Sequence, residues 1–595
     1  MKASIILAVF CFISNLLYTQ DIFERQKRDY IWLIGNSPLI SGGNDMTLLN
    51  FNSIPPEIIS TDINMDFWHT NASVCDASGN LLFYTNGIEV RNFNNDTLAT
   101  GLAPTQMSEQ WDNNGYINPQ GALILPVPGS DFLYYIFHED RDWAPHGGSW
   151  VQNLFYTKVD MSANNGLGAA IEKNIPIIND TLAYGRIVAT PHANGRDWWI
   201  VIPERDNNRY YSVLFTPDGI EKVKNVQIGD SIVTGGHQSS FSPDGAKYAR
   251  IDIKYTGESE HRVTIYDFDR CTGEFTSFTS FTFIDLAFGG GGLAFSENSR
   301  FLYVTSWFNV YQFDLNVPNV EATMIKVAEY DGFEDPIYDL NTDFKLAQLG
   351  PNGKIYIACA TNANYLHIIH TPNSRDLACN VEQHGLELVA LNNRSIPNFP
   401  YYGLGPLDGS PCDTLGIDNP PPQAAFSYAV EDSAALQVAF YDGTRFSPES
   451  WLWDFGEGQS STERFPVHAY TEAGVYEVCL TASNQTGSDT VCDTVGFVVS
   501  GSLSVVRSGA AVGVFPNPAS DMATLSAQGL PAAVREAELV VYDALGREVL
   551  WQEAPVLNGG ILQQLDLTYL PAGVYFWALR ADSGEGLGVG RVARR

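Results

Sequence analysis

A repeated turn constrains the fold of this chain more than any other sequence feature. In residues 241–250, a strand end carrying Phe241 is followed by a Ser-Pro-Asp-Gly turn and a second strand of alternating polarity. Proline at the second turn position presets φ, and glycine accepts the positive φ that reverses the chain. Related turns recur at positions 79, 129, 195, 245, 299 and 353, which are 50, 66, 50, 54 and 54 residues apart. This spacing predicts β-sheets arranged radially.

These hairpins resemble the blades of YVTN/WD-type β-propellers, and the resemblance implies a β-propeller over residues 29–405. That length of 377 residues and a repeat of 54 indicate seven blades, with six or eight left open. We predict that the strand at Ile31 pairs with a late strand near Tyr401, because joining the chain ends removes open sheet edges. The interval of 66 residues predicts an inserted loop around residues 160–178.

Composition and charge narrow the fold class and the partners. Glycine, proline and aromatic residues are frequent and apolar stripes at helical spacing are few, so the predicted fold class is all-β. The formal net charge of −34 repels phosphate backbones, and nucleic acid is therefore not a predicted partner. A solvated acidic surface that keeps the protein soluble accounts for this charge without a functional patch.

The N-terminus predicts export. Residues 1–20 begin with a basic residue, continue as a short apolar run and end in polar residues, which is the pattern of a secretory signal peptide. No stretch is predicted to span a membrane. Export permits disulfides among the seven cysteines that follow Cys11, and their odd number predicts at least one free thiol. The pairing of five of them stays open: Cys75, Cys271, Cys359, Cys379 and Cys412.

A second module is predicted at residues 423–500, after a proline-rich linker at 406–422 that we expect to act as a stiff spacer. Its Trp-Asp-Phe-Gly motif at 453–456 and the patterns at 466–470 and 474–481 resemble the PKD domain, which implies an immunoglobulin-like sandwich. Five side chains are expected to face its core: Trp453, Phe455, Tyr476, Val478 and Leu480. No cofactor is predicted. Asp454 is expected to accept backbone N–H groups in a turn. Calcium binding, which some PKD domains show, is the alternative.

Cys479 and Cys492 are predicted to form a disulfide within this module. They flank a hairpin whose tip is residues 484–487, and pairing them leaves a four-residue loop. Directly opposite residues of such a hairpin have Cα atoms within disulfide range. Because neighbouring residues point to the core, the bridge should lie on the outer face.

The C-terminal segment, residues 512–595, follows a linker at 501–511 and carries three ordered motifs. Short strands separated by turns predict a small β-sandwich. The motifs resemble the type A C-terminal sorting domain of type IX secretion (the Por family). The resemblance implies the type IX translocon and sortase as partners and a location outside, or on the outer surface of, a Gram-negative cell. The motif residues are Pro516, Asn517, Pro518, Gly546, Arg547, Gly573 and Tyr575.

No catalytic residue is predicted, because nucleophile-elbow, zinc-helix and phosphate-loop motifs are absent from the sequence. Four histidines are candidate ligand-binding residues. His138 and His146 lie in a polar segment that we interpret as a loop. A metal or acid–base site is one interpretation of this segment, but an ordinary polar surface loop explains it better. His192 and His237 precede blade strands, where side chains approach a propeller's central channel.

Two functions are consistent with these patterns. The first is a secreted cell-surface binding or structural protein, in which the propeller recognises an extracellular glycan or protein and the PKD module acts as a spacer. The alternative is a secreted propeller hydrolase or lyase that acts on glycans or peptides. An enzyme would need titratable residues that converge at the mouth of the channel.

Overall fold

The structure is a computed structural model, and it divides the chain into two compact units, residues 1–472 with 476–495 and residues 473–475 with 496–595. The residues it describes are 21–22, 25–35, 46–63, 65–110, 115–144, 149–231, 237–256, 258–285, 291–336, 339–392, 394–432, 435–472, 474–496, 511–515, 522–528, 534, 536–543, 547–556, 561–571, 573–581 and 586–594. The predicted signal peptide lies outside them. None of the described helices is long and apolar enough to cross a membrane.

Seven antiparallel sheets follow one another between residues 31 and 387 of the first unit. Short strand β1 (Asp21–Ile22) precedes them. Sheet 1 is β2 (Ile31–Ile34), β3 (Met46–Asn50) and β4 (Glu57–Thr61), and sheet 2 is β5 (Ala72–Cys75), β6 (Leu81–Thr85), β7 (Val90–Asn92) and β8 (Thr97–Ala99). Sheet 3 is β9 (Ala122–Pro126), β10 (Leu133–Glu139), β11 (Asp142–Trp143), β12 (Ser149–Asp160) and β13 (Ala169–Leu182).

The remaining four sheets have four strands each, joined in chain order. Sheet 4 is β14 (Val188–Pro191), β15 (Trp198–Pro203), β16 (Arg209–Thr216) and β17 (Gly219–Gln227), and sheet 5 is β18 (Ser239–Phe241), β19 (Lys247–Thr256), β20 (Glu258–Asp269) and β21 (Glu274–Asp285). Sheet 6 is β22 (Leu293–Phe295), β23 (Phe301–Thr305), β24 (Asn309–Asp314) and β25 (Ile325–Glu329), and sheet 7 is β26 (Phe344–Leu349), β27 (Ile355–Cys359), β28 (Tyr365–Ile369) and β29 (Val381–Glu387). Helical content is small: α1 (Gln106–Gln110), a turn at Ala163–Gly166 and 3₁₀ turns at Glu321–Thr323 and Asp376–Cys379.

The predicted turns join the first two strands of six of these sheets. All six turn positions have positive φ, including the non-glycine Ser299 at 61°. In the sheet 5 turn, the backbone N–H of Gly245 donates to the carbonyl of Ser242 at 2.7 Å, which closes the turn predicted from the Ser-Pro-Asp-Gly motif. The repeated turn in the sequence therefore located six of the seven sheets correctly.

Neighbouring sheets pack face to face through shared apolar clusters. Sheets 2 and 3, 4 and 5, 5 and 6, and 6 and 7 each share one. Sheet 7 also packs on sheet 1, where the rings of Trp32 and Tyr356 meet edge to face at 5.4 Å. Sheets that bury both faces against neighbours have no solvent-facing sheet surface, which explains their nearly continuous apolar strands. The arrangement is all-β and compatible with a propeller.

Three buried amides, Gln120, Gln238 and Asn398, link the first strands of different sheets, and we call them the bridging amides. Gln120 donates to the carbonyl of Ser239 at 2.9 Å, which joins sheets 3 and 5. Gln238 accepts from the backbone N–H groups of Leu293 and Ala347 at 3.0 Å each, which joins sheets 5, 6 and 7.

Asn398 extends these links to the late part of the chain. Its side-chain amide donates to the carbonyls of Ala122 and Ile187 at 3.0 and 2.9 Å. Its backbone N–H donates to Asn71 at 2.9 Å. Because buried amides without partners are costly, these bonds fix the first strands of sheets 2, 3 and 4 around one segment.

Two sequence expectations about the array were wrong. Residues 395–402, all described, form no strand near Tyr401, and β2 pairs with β3 instead. The bonds of Asn398 to several sheets explain this, since a segment that bonds to several strands cannot run in ladder with one of them. The expected loop at 160–178 is instead a long hairpin in which Asp160 pairs with Ala169 and Val159 with Ala170.

The predicted PKD segment consists of two sheets that share a core. Its strands are β31 (Phe426–Asp432), β32 (Gln437–Asp442), β33 (Ser450–Asp454), β34 (Ser460–Ser461), β35 (Val467–Ala469), β36 (Val475–Asn484) and β37 (Gly487–Gly496). Trp453, Phe455, Val478 and Leu480 are buried as expected, whereas Tyr476 is half-buried and stacks on Tyr470 at 4.1 Å. Asp454 accepts the backbone N–H of Gly456 at 3.0 Å, as a turn carboxylate does.

This segment packs directly against sheet 6. The amide of Asn298 donates to the carbonyl of the fully buried Asp442 at 2.9 Å. Arg464 pairs with the Asp442 carboxylate at 2.9 Å and donates to the carbonyl of Asn298 at 3.3 Å. Tyr441 belongs to the apolar cluster of sheets 6 and 7. The module is therefore held on the array by buried polar and apolar contacts.

Both predicted and unpredicted disulfides form. Cys479 and Cys492 are bonded, with Cα atoms 4.1 Å apart, which confirms the predicted hairpin bridge. Cys271 and Cys412, 141 residues apart in sequence, form a second bridge. It ties the last hairpin turn of sheet 5 to the segment expected to be a spacer. Among the described cysteines, three stay free and buried: Cys75, Cys359 and Cys379.

The linker at 406–422 is bonded along its length. Leu407 donates its backbone N–H to Ala193 at 2.8 Å, and Asn419 donates its side-chain amide to Pro406 at 2.8 Å. Strand β30 (Ile417–Asp418) pairs in parallel with β1. The segment is thus anchored to the array rather than extended as a free spacer.

Removing the Cys271–Cys412 bridge is expected to destabilise the first unit more than removing the Cys479–Cys492 bridge. The chain-entropy relation gives about 5 kcal/mol for a loop closed over 141 residues and about 3 kcal/mol for one closed over 13. Denaturant unfolding of the paired Cys→Ser variants measures both losses. Equal losses in the free energy of unfolding, or a larger loss for the hairpin bridge, would contradict the prediction that the longer bridge stabilises the first unit more.

The second unit is a small sandwich, as predicted. Its strands are β38 (Ala511–Phe515), β39 (Met522–Gln528), β40 (Glu536–Tyr542), β41 (Glu548–Pro555), β42 (Ile561–Asp566), β43 (Gly573–Ala581) and β44 (Gly586–Arg594). They form sheets of three and four strands that share one apolar cluster around Leu525, Leu539 and Trp577.

Candidate ligand-binding site

Basic side chains gather where the first strands of several sheets begin. His69 lies just before β5, His237 just before β18, Lys345 within β26, and Arg394 after the last strand of sheet 7. We call these four residues the cationic cluster. The charge of Lys345 acts on both histidines and that of Arg394 acts on His69 and Lys345, so the four side chains lie near one another. The bridging amides hold the beginnings of these strands side by side.

Lys345 is the central member of the cluster. Its side chain is only 3% exposed, and its ammonium group has neither a hydrogen bond nor an ion pair to any described residue. Burial lowers the pKa of Lys345 to about 7, Arg394 lowers it further, and Asp343 opposes the shift. An amine in this state is held close to the boundary between its charged and neutral forms at physiological pH.

Arg394 and Asp343 complete the charge balance around Lys345. The pKa of the Arg394 guanidinium is lowered by burial, and Asp343 opposes this shift. Its Nε atom is buried without a hydrogen-bond partner. Asp343 is buried, and desolvation raises its pKa to about 6, while hydrogen bonds from the backbone and from the Trp307 side chain oppose the shift. Among the charges that act on Lys345, Asp343 is the one carboxylate described.

The two histidines are held in the neutral form. Burial lowers the pKa of His237 well below its usual range, and the charges of Arg186 and Lys345 lower it further. Burial and the charges of Lys345 and Arg394 act in the same way on His69, whose Nδ1 lies 2.9 Å from the carbonyl of Ile117. Nδ1 of His237 and Nε2 of His69 are buried without partners among the described residues.

Other buried polar side chains near these strand beginnings have hydrogen-bond partners. Arg186 donates to the Asp252 carboxylate at 2.6 Å and to the carbonyl of Ile251 at 2.8 Å, so its charge is compensated. Glu139 accepts from the backbone N–H of Gly185 at 2.7 Å, and desolvation raises its pKa to about 8. Arg141 donates to the side chain of Asn118 at 2.7 Å.

The other candidate histidines have different surroundings. His138 lies inside β10, not in a loop as expected, because the strand continues to Glu139; it is fully buried and its Nε2 lies 3.0 Å from the hydroxyl of Thr157. Both ring nitrogens of His192 have partners: Nδ1 accepts the backbone N–H of Asn194 at 3.0 Å, and Nε2 lies 3.1 Å from the carbonyl of Cys271. His146 lies outside the described residues.

The sorting motifs are partly described. Arg547 is exposed and pairs with the Asp543 carboxylate at 2.6 Å. Gly573 begins β43, and the buried Tyr575 donates its hydroxyl to the carbonyl of Pro571 at 2.7 Å. Pro516, Asn517, Pro518 and Gly546 lie outside the described residues.

Sequence reasoning found His237 but missed Lys345, Arg394 and His69. Each stands alone between residues of another kind, so none belongs to a motif. One signal was available: Lys345 is a single charge inside the apolar first strand of a sheet, between Phe344 and Leu346. Within the described ranges, no group of three or more His, Cys, Asp or Glu side chains is placed to hold a metal ion.

Two family models match the C-terminal part of the chain. Residues 418–499 match the PKD domain, and residues 513–587 match the secretion system C-terminal sorting domain. Both predicted modules are confirmed. The sorting domain indicates export by type IX secretion to the cell surface or the extracellular space.

The protease and collagenase relatives match this chain in the PKD region. The pre-pro-metalloprotease PrtV of Vibrio cholerae is 39% identical over 79 residues, which are 13% of this chain and 9% of that protein. Collagenase ColQ1 of Bacillus cereus is 44% identical over 54 residues, 9% of this chain and 6% of that one. The chain thus spans less than a tenth of either relative.

A functionally unknown protein from Desulfotomaculum acetoxidans matches 62% of this chain and 99% of its own length, at 15% identity and a TM-score of 0.36.

Proposed function

We propose that this protein is an exported cell-surface binding protein. In this proposal the seven sheets are the blades of a closed propeller, and an extracellular glycan or protein ligand binds at the end where the first strands begin. The packing of sheet 7 on sheet 1 and the bridging amides support ring closure. The PKD domain is held in a fixed position beside the array, because Asn298 of the array donates a hydrogen bond to Asp442 of this domain.

The observation that carries this proposal is the convergence of the cationic cluster at one end of the sheets. Buried bases without partners destabilise a folded protein. A group of them that is nevertheless present favours a functional site at that place. Binding fits them better than catalysis, because no base of the cluster is hydrogen-bonded to a carboxylate that would orient it among the described residues. A relay of the nucleophile–base–acid type needs such a bond.

Binding is tested with the full exported chain on arrays of extracellular glycans and matrix proteins. The proposal predicts a ligand whose binding is lost when Lys345 and Arg394 are both replaced, while replacement of the exposed Lys222 leaves binding unchanged. Absence of any retained ligand, or retention that the double variant does not affect, would contradict it.

Deletion of residues 512–595 is expected to leave the protein in the periplasm. In this proposal the export machinery recognises the sorting domain that matches residues 513–587. Cell fractionation with an antibody to the array measures the distribution. A truncated protein that still reaches the surface in wild-type amounts would rule out this role of the domain.

A second candidate, a secreted hydrolase or lyase, is favoured by one observation. An amine with a pKa of about 7, such as that of Lys345, is partly deprotonated at neutral pH and suits a general base. This candidate predicts that purified protein shortens polysaccharides or peptides and that Lys345→Met abolishes the activity. Product analysis by mass spectrometry distinguishes it from simple binding.

A further inference from the structure

We propose, building on the proposed function, that the cationic cluster binds a single carboxylate group of the extracellular ligand, such as that of an acidic sugar. The inference names the chemistry of the ligand rather than its identity. It rests on the unpaired donors of the cluster, on their charge balance and on their access to solvent.

The unpaired donors point to an anion. Nε of Arg394 and Nδ1 of His237 are buried without partners among the described residues. The Lys345 ammonium makes no hydrogen bond or ion pair with a described residue, and the Lys345 and His237 side chains are 3% and 4% exposed. A buried charged donor without an acceptor is strongly unfavourable, and an anion bound among these groups would supply the missing acceptor oxygens. A neutral ligand would leave uncompensated the positive charge that Asp343 does not balance.

The net charge of the cluster and Asp343 favours a ligand group with a single negative charge. Lys345 and Arg394 carry two positive charges when protonated, Asp343 carries one negative charge, and both histidines are held neutral. One net positive charge remains, which matches one carboxylate and would be exceeded by a phosphate dianion. The planar fork of an arginine guanidinium also fits a carboxylate in a bidentate way.

The cluster is reachable from solvent. Lys345 and His237 are buried, whereas His69 and Arg394 are half-buried. In the proposed site, a carboxylate would therefore enter on the side of the half-buried pair. In this arrangement Arg394 would hold the carboxylate and Lys345 would neutralise it from below.

Calorimetry of the full chain with sodium glucuronate tests the inference. Glucose serves as the neutral control and inorganic phosphate as the alternative anion. A bound carboxylate favours the charged form of Lys345, so binding at about pH 8 should take up close to one proton, detected as a dependence of the heat on the buffer. We expect Lys345→Met to abolish the uptake, and Lys345→Met and Arg394→Gln each to weaken binding about tenfold or more. Lys222→Met is the matched control.

Each alternative outcome has a distinct meaning. Binding of glucuronate without proton uptake, equal binding of glucose, or tighter binding of phosphate would overturn the carboxylate assignment. If array ligands are retained but neither variant affects them, the inference and the binding site of the proposed function both fail. If the variants abolish retention of an array ligand but the wild type binds no glucuronate, the carboxylate inference alone fails. If neither glucuronate nor any array ligand binds to the folded chain, the inference and the proposed function both fail.

Discussion

Replacement of Lys345 by methionine is expected to stabilise the first unit in the absence of ligand. Methionine keeps the length of the side chain and removes a buried ammonium that has no partner. A lysine pKa lowered from 10.5 to about 7 corresponds to a penalty of several kcal/mol when the group is charged in the folded state. The gain should appear as a higher denaturation midpoint in urea.

The dependence of this gain on pH follows from the direction of the shift. Between about pH 7 and the unfolded pKa, the unfolded chain binds a proton at Lys345 that the folded chain lacks. The stability of the wild type therefore rises with pH by about 1.4 kcal/mol per unit from this group, whereas the variant lacks this contribution. The advantage of the variant should be largest below about pH 7 and shrink towards about pH 9.

The exposed Lys222 provides the control for this series. Lys222→Met should change the free energy of unfolding by less than about 0.5 kcal/mol and leave its pH dependence as in the wild type. A Lys345→Met variant that is less stable than the wild type at every pH would show that the ammonium has a stabilising partner, and would remove the argument for an unsatisfied cation.

Replacement of Arg300 by alanine is expected to destabilise the first unit by about 3–5 kcal/mol and to loosen the PKD domain. Arg300 is 8% exposed and bonds both oxygens of Asp314, at 3.0 and 2.7 Å. Its guanidinium also lies 4.8 Å from the ring centres of Tyr441 and Phe465 in the PKD domain. Alanine would leave the buried Asp314 charge uncompensated and remove the cation that stacks on both rings.

Urea denaturation and limited proteolysis measure the two effects. Loosening of the PKD domain should appear as new cleavage in the linker near residues 419–425. The matched control is Arg445→Ala, which breaks the more exposed pair of Arg445 with Glu297 at 3.0 Å and should cost less than about 1 kcal/mol. Equal effects of the two substitutions would contradict the view that the buried contacts of Arg300 hold the PKD domain in place.

Local sequence patterns predicted most of the architecture. The turn at Ser242–Gly245 and its relatives located the sheets because a turn is decided by residues close in sequence. Cys479 and Cys492 could be paired for the same reason, since one hairpin contains both. The Cys271–Cys412 bridge joins positions 141 residues apart, and no local pattern carries that information.

The candidate site depends on long-range contacts, so the sequence revealed little of it. His237 was a candidate because of its place before a strand. Lys345 and Arg394 become informative only when the structure shows that both lack acceptors. The extended form expected of the linker at 406–422 illustrates the same limit. A proline-rich composition favours an extended chain, but the bond of Leu407 to Ala193 holds the linker on the array.

Hydrogen–deuterium exchange of the full chain, with and without a retained ligand, tests the central claim most directly. If the ligand binds where the first strands begin, exchange should slow at residues 69–72, 237–241 and 343–347, which are far apart in sequence and joined in the site. Slowing confined to the PKD domain or to the outer strands of the sheets would contradict a binding site at this end of the array.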